Sequence, residues 1–296
     1  MQYYNQDTYI YLDGDFVKAT DAGIDLFGQS LHYGYSAFEG LRAYSTHHGT
    51  RIFKAEEHFA RLQRSCEAIN LPYLWNNQHL IEKSYALLEA NNLRAAYIRP
   101  LVFSGSNMHL TSAKDAHIMI AAWEWGPYLG HNLLRVCTSK VQRLHPKSFH
   151  IEAKVSGQYI NAILASTEAI REGFDESLML DHNGFLAQAS SENLFIEKGY
   201  KLYTPPLGNI FPGITRKTVM DLCRHLHIEV IEKNLTIKDV QDADSAFLCG
   251  TAAEIIGIKE VDGIVYKEDW EHTIGASIQR KYKQLVLDEE NYEVII

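Results

Sequence analysis

The chain has 296 residues and a formal net charge of −9, with 46% hydrophobic and 22% charged residues. This composition is typical of an ordinary globular protein. The acidic balance argues against a nucleic-acid-binding surface, which needs clustered positive charge to neutralise phosphates. A chain of this length buries enough surface to fold without disulfides or a structural metal ion.

Cysteine usage and hydropathy indicate where the protein resides. Its four cysteines form no C-x-x-C pair and match neither a zinc site nor a disulfide framework, so free thiols in a reducing compartment are expected. The N-terminus lacks the basic start and apolar core of a signal peptide. The longest apolar run, Ile118–Trp123, is too short to cross a bilayer. We therefore predict a cytoplasmic protein with no membrane partner and no metal site.

The first 125 residues alternate strand and helix patterns. Asp13-Gly14 between two apolar runs is typical of a hairpin turn, and apolar residues recur at helical spacing from Glu56 onward. We predict strands at Tyr9–Leu12 and Phe16–Val17, a strand pair flanking His47–Thr50, helices at Glu56–Ile69 and Gln78–Asn91, and buried strands at Ala95–Phe103 and His117–Trp123.

A turn-rich stretch without periodicity, Gly126–Asn132, divides the sequence. We interpret residues 126–133 as a linker between a smaller α/β domain, residues 1–125, and a larger domain, residues 134–296. In the larger domain we predict a strand at Leu134–Lys140, a helix at Tyr159–Glu172, a meander with turns at Asp181–Gly184 and Lys198–Gly199, a helix at Thr215–His227, strands at Glu229–Glu232 and Ala246–Leu248, and a helix at Trp270–Leu287. Mixed strands and helices in two blocks indicate an α/β or α+β chain.

Two segments combine glycine with backbone suited to an anion. Phe211–Arg216 opens an amphipathic helix, where free N–H groups and the helix dipole favour a phosphate, and Thr215 is a candidate N-cap. Cys249–Glu254 follows an apolar strand with small residues that leave room beside the backbone. From these residues alone, an ordinary capped helix and a simple turn remain open alternatives.

Lys154 lies in the segment His150–Tyr159, ahead of a helical run. A deprotonated lysine amine condenses with aldehydes, so lysine is the residue type for imine chemistry. Most lysines are solvated surface groups, however, and composition does not distinguish Lys154 from them.

Eight segments, taken in order and spacing, resemble the branched-chain aminotransferases, which are fold-type IV pyridoxal-phosphate enzymes. They are Leu31–Gly34, Phe38–Arg42, His58–Leu62, Ala96–Pro100, Lys154–Tyr159, Ser191–Phe195, Pro212–Arg216 and Gly250–Glu254. The resemblance runs from the opening hairpin to Gly257. It implies the two-domain α/β (α+β) fold shared with D-amino acid aminotransferase, with residues 134–296 as the cofactor-binding domain.

The resemblance also implies roles in binding pyridoxal 5'-phosphate. Lys154 is similar to the catalytic Schiff-base lysine, which also moves the proton at the substrate Cα. Arg61 resembles the arginine that binds the phosphate, and Tyr159 the phenol that hydrogen-bonds the cofactor O3′. The other residues that match cofactor contacts are Gln188, Ile214, Thr215 and Thr251.

A second set of residues matches the family's substrate pocket, which accepts both an aliphatic side chain and the glutamate carboxylate. Phe38, Tyr33 and Trp125 match its apolar lining, with Tyr33 supplied by the partner subunit of a dimer. Arg99, beside Tyr97, matches the group that meets the second carboxylate, although a structural ion pair is an alternative for it. Gly250, Thr251 and Ala252 match the turn that binds the α-carboxylate.

Gln188 departs from the family pattern, which has a glutamate facing the pyridine N1. A glutamate keeps N1 protonated by its charge, whereas a neutral amide either accepts from N1–H or donates to bare N1. Three alternatives remain open: Gln188 serves with weakened transamination, Glu192 four residues later serves instead from the same strand face, or activity is lost.

The resemblance implies an enzyme, a branched-chain-amino-acid aminotransferase of amino-acid biosynthesis. It would transfer amino groups between leucine, isoleucine or valine and 2-oxoglutarate, with amino acids and 2-oxo acids as its partners. We expect a homodimer or higher homo-oligomer. The alternatives are a D-amino acid aminotransferase, an aminodeoxychorismate lyase-like enzyme, and a pyridoxal-phosphate-binding protein impaired by Gln188. Nucleotide-binding motifs of the G-x-G-x-x-G or P-loop type are absent from the sequence.

Overall fold

The computed structural model describes residues 3–130 and 132–289. Its strands are β1 (Tyr9–Leu12), β2 (Asp15–Lys18), β3 (Ser36–Phe38), β4 (Leu41–Thr46), β5 (Gly49–Ile52), β6 (Ala96–Phe103), β7 (His117–Trp123), β8 (Leu134–Thr138), β9 (Glu176–Leu180), β10 (Leu186–Ala189), β11 (Asn193–Lys198), β12 (Lys201–Thr204), β13 (Val230–Glu232), β14 (Ser245–Gly250), β15 (Glu254–Val261) and β16 (Ile264–Val265). Its α-helices are α1 (Gln29–Tyr33), α2 (Ala55–Ala68), α3 (Asn77–Ala90), α4 (Tyr159–Arg171), α5 (Ile214–His225), α6 (Ile237–Gln241) and α7 (Ile274–Leu287), and short 3₁₀ turns cover Ser156–Gln158 and Trp270–His272.

The chain divides into two compact units. Unit 1 comprises Met1–Gly126 and Ala153–Gln158, and unit 2 comprises Pro127–Glu152 and Tyr159–Ile296. The domain boundaries predicted from the sequence place residues 153–158 in the C-terminal domain, and the structure groups them differently. In the described part of the chain, no helix is both long and apolar enough to span a membrane.

Unit 1 is built on a seven-stranded antiparallel sheet with the order β2-β1-β7-β6-β4-β5, and β3 pairs with β6. Burial alternates along β7, as expected for a strand with one face against a core. Phe59 and Leu62 of α2 and Leu80 of α3 are fully buried in the same apolar cluster as Ile98 and Ile118 of the sheet. Burial of these faces stabilises the two helices against the sheet.

The segment Ala153–Gln158 joins unit 1 through backbone hydrogen bonds. The Phe38 N–H donates to the Lys154 carbonyl at 3.0 Å, and the Lys154 N–H donates to Ser65 Oγ at 2.9 Å. Gly157 lies against Gly34, where a Cβ on Gly34 would come within 2.6 Å of the Gly157 Cα. Gly34 also has φ +66, a conformation that glycine adopts without strain. These contacts fix the position of Lys154 beside β3.

Unit 2 is built on a nine-stranded sheet with the order β10-β9-β8-β15-β14-β11-β12-β13, and β16 pairs with β15. The β8–β9, β8–β15 and β12–β13 pairs are parallel, and the others are antiparallel. The sheet's apolar core includes Leu134, Leu178, Leu194 and Leu248. Strands β11 and β14 are buried inside the sheet, so the first residue of each following loop is held in place.

Most predicted elements are confirmed to within a few residues, and the differences have local causes. The predicted helix Trp270–Leu287 is interrupted at Thr273, whose hydroxyl accepts from the Ala276 N–H at 3.1 Å and caps α7. Strand β15 was not predicted because Gly257 interrupts its pattern. A Cβ on Gly257 would come within 2.7 Å of the Trp270 ring, so the strand needs glycine there. Within the predicted linker, His131 lies outside the described residues.

Candidate active site

Lys154 is half-buried in unit 1, next to the aromatic end of β3. Its Nζ lies 4.9 Å from the centroid of the Phe38 ring, and its backbone is held on both sides by the hydrogen bonds described above. A lysine amine on a fixed backbone and beside an apolar ring is positioned for covalent chemistry in a way that a solvated surface lysine is not.

A buried ionic cluster lies in the same unit. Glu39 is fully buried and accepts from Arg61 Nε at 2.5 Å and from Arg61 Nη2 at 2.9 Å, a two-point ion pair. Burial opposes ionisation of Glu39, but the Arg61 charge and the His58 hydrogen bond outweigh it and hold the Glu39 pKa well below its usual range. Arg61 is therefore held in a defined orientation by a carboxylate that stays ionised.

His58 completes this cluster. Its Nδ1 lies 2.9 Å from Glu39 Oε2, and the ring is buried. Burial lowers the His58 pKa, with smaller contributions in the same direction from Arg61 and Lys154, and Glu39 opposes the shift. His58 is therefore a neutral donor at neutral pH, and it stabilises the Glu39 carboxylate without adding charge. Glu39 and His58 were not predicted as site residues, although both lie within the segments that carry the resemblance.

Three predicted aromatic substrate residues, Phe38, Tyr97 and Trp125, form one cluster with the predicted Arg99 in unit 1. The Arg99 guanidinium carbon lies 4.8 Å from the Phe38 centroid and 5.3 Å from the Tyr97 centroid. Trp125 packs edge-on against Tyr97 at 4.7 Å. Within residues 3–130 and 132–289, Arg99 Nε is buried without a hydrogen-bond partner. The cluster thus presents a cationic group with unused donor capacity among apolar rings.

The composition of this cluster differs from the prediction at two residues. Trp123 belongs to it, 5.3 Å from Tyr97, and was missed, although the β6–β7 register that pairs Tyr97 with Trp123 carries the signal. Tyr33 ends α1 with 46% of its surface exposed, and its hydroxyl donates to the Met108 carbonyl at 3.4 Å. Its only described ring contact is with His32, so Tyr33 is not part of the Arg99 cluster.

In unit 2, the first turn of α5 provides backbone donors. The predicted N-cap Thr215 is wrong: Gly213 is the N-cap, because its carbonyl already accepts from the Lys217 N–H at 3.0 Å. Gly213 has no side chain to cap the helix, and helical geometry leaves the Ile214 and Thr215 N–H groups without intrahelical acceptors. A Cβ on Gly213 would come within 2.2 Å of Asn193 Oδ1, so only glycine fits this start.

This donor set fits a phosphate. N–H groups without intrahelical acceptors, such as those of Ile214 and Thr215, and the positive end of a helix dipole are the features that bind phosphates elsewhere. Since no described side chain caps α5, those groups remain available to an external acceptor. Unit 2 therefore has a place for the phosphate of the implied cofactor.

Gln188 lies on β10 and is 3% exposed. Its Oε1 accepts from the Phe211 N–H at 2.7 Å, and its Nε2 donates to the Ala189 carbonyl at 3.3 Å. The alternative in which Glu192 shares a strand face with Gln188 is wrong, because β10 ends at Ala189 and the chain turns before β11. The Glu192 carboxylate instead accepts from the Ser191 N–H and hydroxyl, at 3.2 and 2.6 Å.

The remaining predicted residues lie at two other places in unit 2. Gly250 ends β14 and pairs with Glu254 of β15, and Thr251 and Ala252 lie in the tight turn between the two strands. Tyr159 begins α4. Its phenol interacts electrostatically with Arg143, which sequence reasoning missed because no motif contains it.

Arg143 carries two signs of an unusual environment. Burial lowers the Arg143 pKa, and Tyr159 opposes that shift. Its Nε has no hydrogen-bond partner in the described part of the chain.

The chain is similar in sequence to one family of aminotransferases. A model of the amino-transferase class IV family matches residues 36–261, so the chain belongs to that family. A Pseudomonas aeruginosa branched-chain-amino-acid aminotransferase is 40% identical over 288 residues, covering 95% of this chain and 94% of the relative. Within class IV, the chain groups with the branched-chain-amino-acid aminotransferases.

Solved structures of branched-chain amino acid aminotransferases have the same fold as this chain. The Escherichia coli branched-chain amino acid aminotransferase superposes with a TM-score of 0.94 at 35% identity, covering 97% of each chain. The branched-chain amino acid aminotransferase from Thermobaculum terrenum, solved in its PLP-bound holo-form, superposes with a TM-score of 0.89 at 27% identity, covering 98% of this chain and 96% of that one. The family resemblance and the mixed α/β fold predicted from the sequence are confirmed.

Proposed function

We propose that the chain is a pyridoxal-phosphate-dependent aminotransferase that moves amino groups between leucine, isoleucine or valine and 2-oxoglutarate. The observation that carries this proposal is the Arg99 cluster, where a guanidinium whose Nε has no partner among the described residues lies against Phe38 and Tyr97. Apolar rings bind an aliphatic side chain, and the guanidinium donates hydrogen bonds to the distal carboxylate of a dicarboxylic substrate. One cluster thus serves both substrates.

Each residue of the proposed site has a separate task. Lys154 binds the cofactor aldehyde and moves the proton at the substrate Cα. In unit 1, Arg61, oriented by Glu39, is the proposed phosphate ligand. In unit 2, the family resemblance gives the same role to the N–H groups of Ile214 and Thr215 and to Thr251. Tyr159 hydrogen-bonds the cofactor O3′. When bound, pyridoxal phosphate supplies the aldehyde that exchanges amino groups and a ring that withdraws electrons from Cα.

The α-carboxylate of the substrate is the proposed ligand of the β14–β15 turn. Gly250 ends β14, Thr251 and Ala252 lie in the turn, and these small residues leave the backbone open to a ligand. Trp125 supports Tyr97 edge-on and so contributes to the apolar part of the pocket. We propose that Tyr33 acts in the site of a partner subunit, in line with its exposure.

Both units present apolar side chains to solvent, which supports a homodimer. Large exposed fractions are typical of surfaces that a partner covers. In unit 1 these side chains are Leu26, Phe27, Leu31 and Leu110, and in unit 2 they are Ile160, Ile163, Leu164 and Ile170. Cytoplasmic location and a biosynthetic role remain predictions.

The visible spectrum of the purified holoprotein tests the proposed function. Leucine should shift the cofactor absorption band as the amino group is transferred, and 2-oxoglutarate should then restore the original band. D-Alanine should leave the band unchanged. A spectrum that does not respond to leucine would contradict the proposal and leave a pyridoxal-phosphate-binding protein without transaminase activity. A response to D-alanine in place of leucine would indicate a D-amino acid aminotransferase.

Gly40→Ala should impair substrate use by displacing Tyr97. A Cβ on Gly40 would come within 1.8 Å of the Tyr97 hydroxyl oxygen, and Tyr97 is 5% exposed between tryptophan rings. Because a shift of about 1 Å in a positioning group costs on the order of 100-fold, we expect kcat/KM for leucine to fall by about that factor. Gly23→Ala is the matched control, since a Cβ there meets no atom within 4 Å. Equal activity of the two variants would contradict the role of Tyr97.

Gly213→Ala should weaken cofactor binding. The new Cβ would overlap Asn193 Oδ1, and Asn193 is anchored by its Nδ2 donating to the Phe211 carbonyl at 2.9 Å. The start of α5 must then move away from the phosphate. We expect the Kd for pyridoxal phosphate, measured by absorbance titration, to rise about tenfold, equivalent to about 1.4 kcal/mol. Gly126→Ala, which meets no neighbour, should leave the Kd unchanged; an unchanged Kd in Gly213→Ala would exclude this helix start as the phosphate site.

A further inference from the structure

The orientation of the Gln188 amide is fixed by a backbone donor. The Phe211 N–H, at 2.7 Å, can only donate, so the oxygen of the amide must face it and Nε2 must face the other way. Nε2 carries two hydrogens, and the described residues provide one acceptor, the Ala189 carbonyl at 3.3 Å. One N–H of a side chain on a residue only 3% exposed is thus left without a protein acceptor among the residues that the structure describes.

Two buried carboxylates in this part of unit 2, Glu176 and Glu192, accept hydrogen bonds from serines. Glu176 Oε2 accepts from the Ser190 hydroxyl at 2.8 Å, and Glu176 Oε1 accepts from the Ser177 N–H at 2.6 Å. Glu192 accepts from Ser191. Each of these carboxylates is engaged by a serine, while Gln188 itself is neutral.

We propose that Gln188 donates its unused Nε2–H to the pyridine N1 of the cofactor, so that this protein holds N1 unprotonated. The inference rests on the proposed function, which places Gln188 at N1. A buried donor that meets a second donor loses hydrogen-bond energy, whereas bare N1 is an acceptor that satisfies the amide. A protonated N1 would have to share Oε1 with the Phe211 N–H and would leave the Nε2–H unsatisfied.

The variant Gln188→Glu changes only the group that faces N1. A glutamate has the same shape, and one of its oxygens can accept from the Phe211 N–H as Oε1 does. Its second oxygen accepts and cannot donate, so it stabilises a protonated ring nitrogen. The two proteins should therefore differ in the protonation of N1 while sharing the fold and the Phe211 hydrogen bond.

Nitrogen-15 NMR of holoprotein reconstituted with cofactor labelled at N1 tests the inference without measuring turnover. We expect the chemical shift of a neutral pyridine in the wild-type protein and of a pyridinium in Gln188→Glu. Gln78→Glu, a change at an exposed glutamine, should keep the wild-type shift. A pyridinium shift in the wild-type protein, or the same shift in wild type and Gln188→Glu, overturns the inference.

Borohydride reduction of the same samples separates this inference from the proposed function. Cofactor attached to Lys154 together with a protonated N1 would overturn only the role of Gln188. Attachment to a different lysine would overturn the site itself. As a second readout, the half-reaction with leucine should be faster in Gln188→Glu, because a protonated ring withdraws electrons more strongly from Cα.

Discussion

Replacing Lys154 with alanine should slow the half-reaction with leucine by about 100- to 10,000-fold, the usual contribution of a positioned proton-transfer group. Lys154 is the half-buried lysine beside Phe38, and its backbone is fixed to β3 and to Ser65. Alanine keeps those backbone hydrogen bonds and removes only the amine. The measurement is a single-turnover absorbance trace after mixing with leucine.

Lys147→Ala is the control for that experiment, since Lys147 is exposed in the same stretch of chain. It should react at the wild-type rate. A Lys154→Ala protein that retained the rate within a few-fold would show that another group moves the proton, and the assignment of Lys154 would have to be abandoned.

Glu39→Gln should destabilise the protein strongly, although it preserves shape. Removing one partner of a buried ion pair typically costs about 3–5 kcal/mol, because the remaining charge loses its compensation. Here the remaining charge is Arg61, which is 6% exposed and bonded at two points to Glu39. The free energy of unfolding of unit 1, followed by urea denaturation, should fall by that amount.

The same variant should bind pyridoxal phosphate less tightly, because Arg61 is no longer oriented. Glu229→Gln provides the comparison: its ion pair with Lys201 is 2.7 Å long but exposed on both sides. Exposed ion pairs are screened by water, so Glu229→Gln should lose far less unfolding free energy and far less cofactor affinity. Equal losses of unfolding free energy and cofactor affinity in the two variants would contradict the structural role of the Glu39 cluster.

Elements with strong periodicity were predictable from the sequence, and elements that depend on tertiary contacts were not. Helix α2 is recognised from apolar residues such as Phe59, Leu62 and Cys66 at helical spacing, and all three are fully buried. Strand β15 contains Gly257, which weakens any strand pattern. The strand forms because it pairs with β14 and β8, and glycine is needed at 257 because the Trp270 ring packs against it.

In the candidate active site, too, contacts between residues far apart in the sequence were not predictable. The family resemblance pointed to Lys154, Arg61 and Arg99, because each lies in a segment that matches a family motif. The ion pair between Glu39 and Arg61 joins residues 22 positions apart, and no local pattern specifies it. The orientation of the Gln188 amide depends on a backbone N–H 23 residues further along the chain, so sequence reasoning left both orientations open.

Borohydride reduction of the holoprotein, followed by proteolysis and mass spectrometry, measures directly which amine carries the cofactor. The pyridoxyl group should be found on the peptide that contains Lys154 and on no other lysine. A modification at any other position, or none, would contradict the assignment of this chain's chemistry to Lys154.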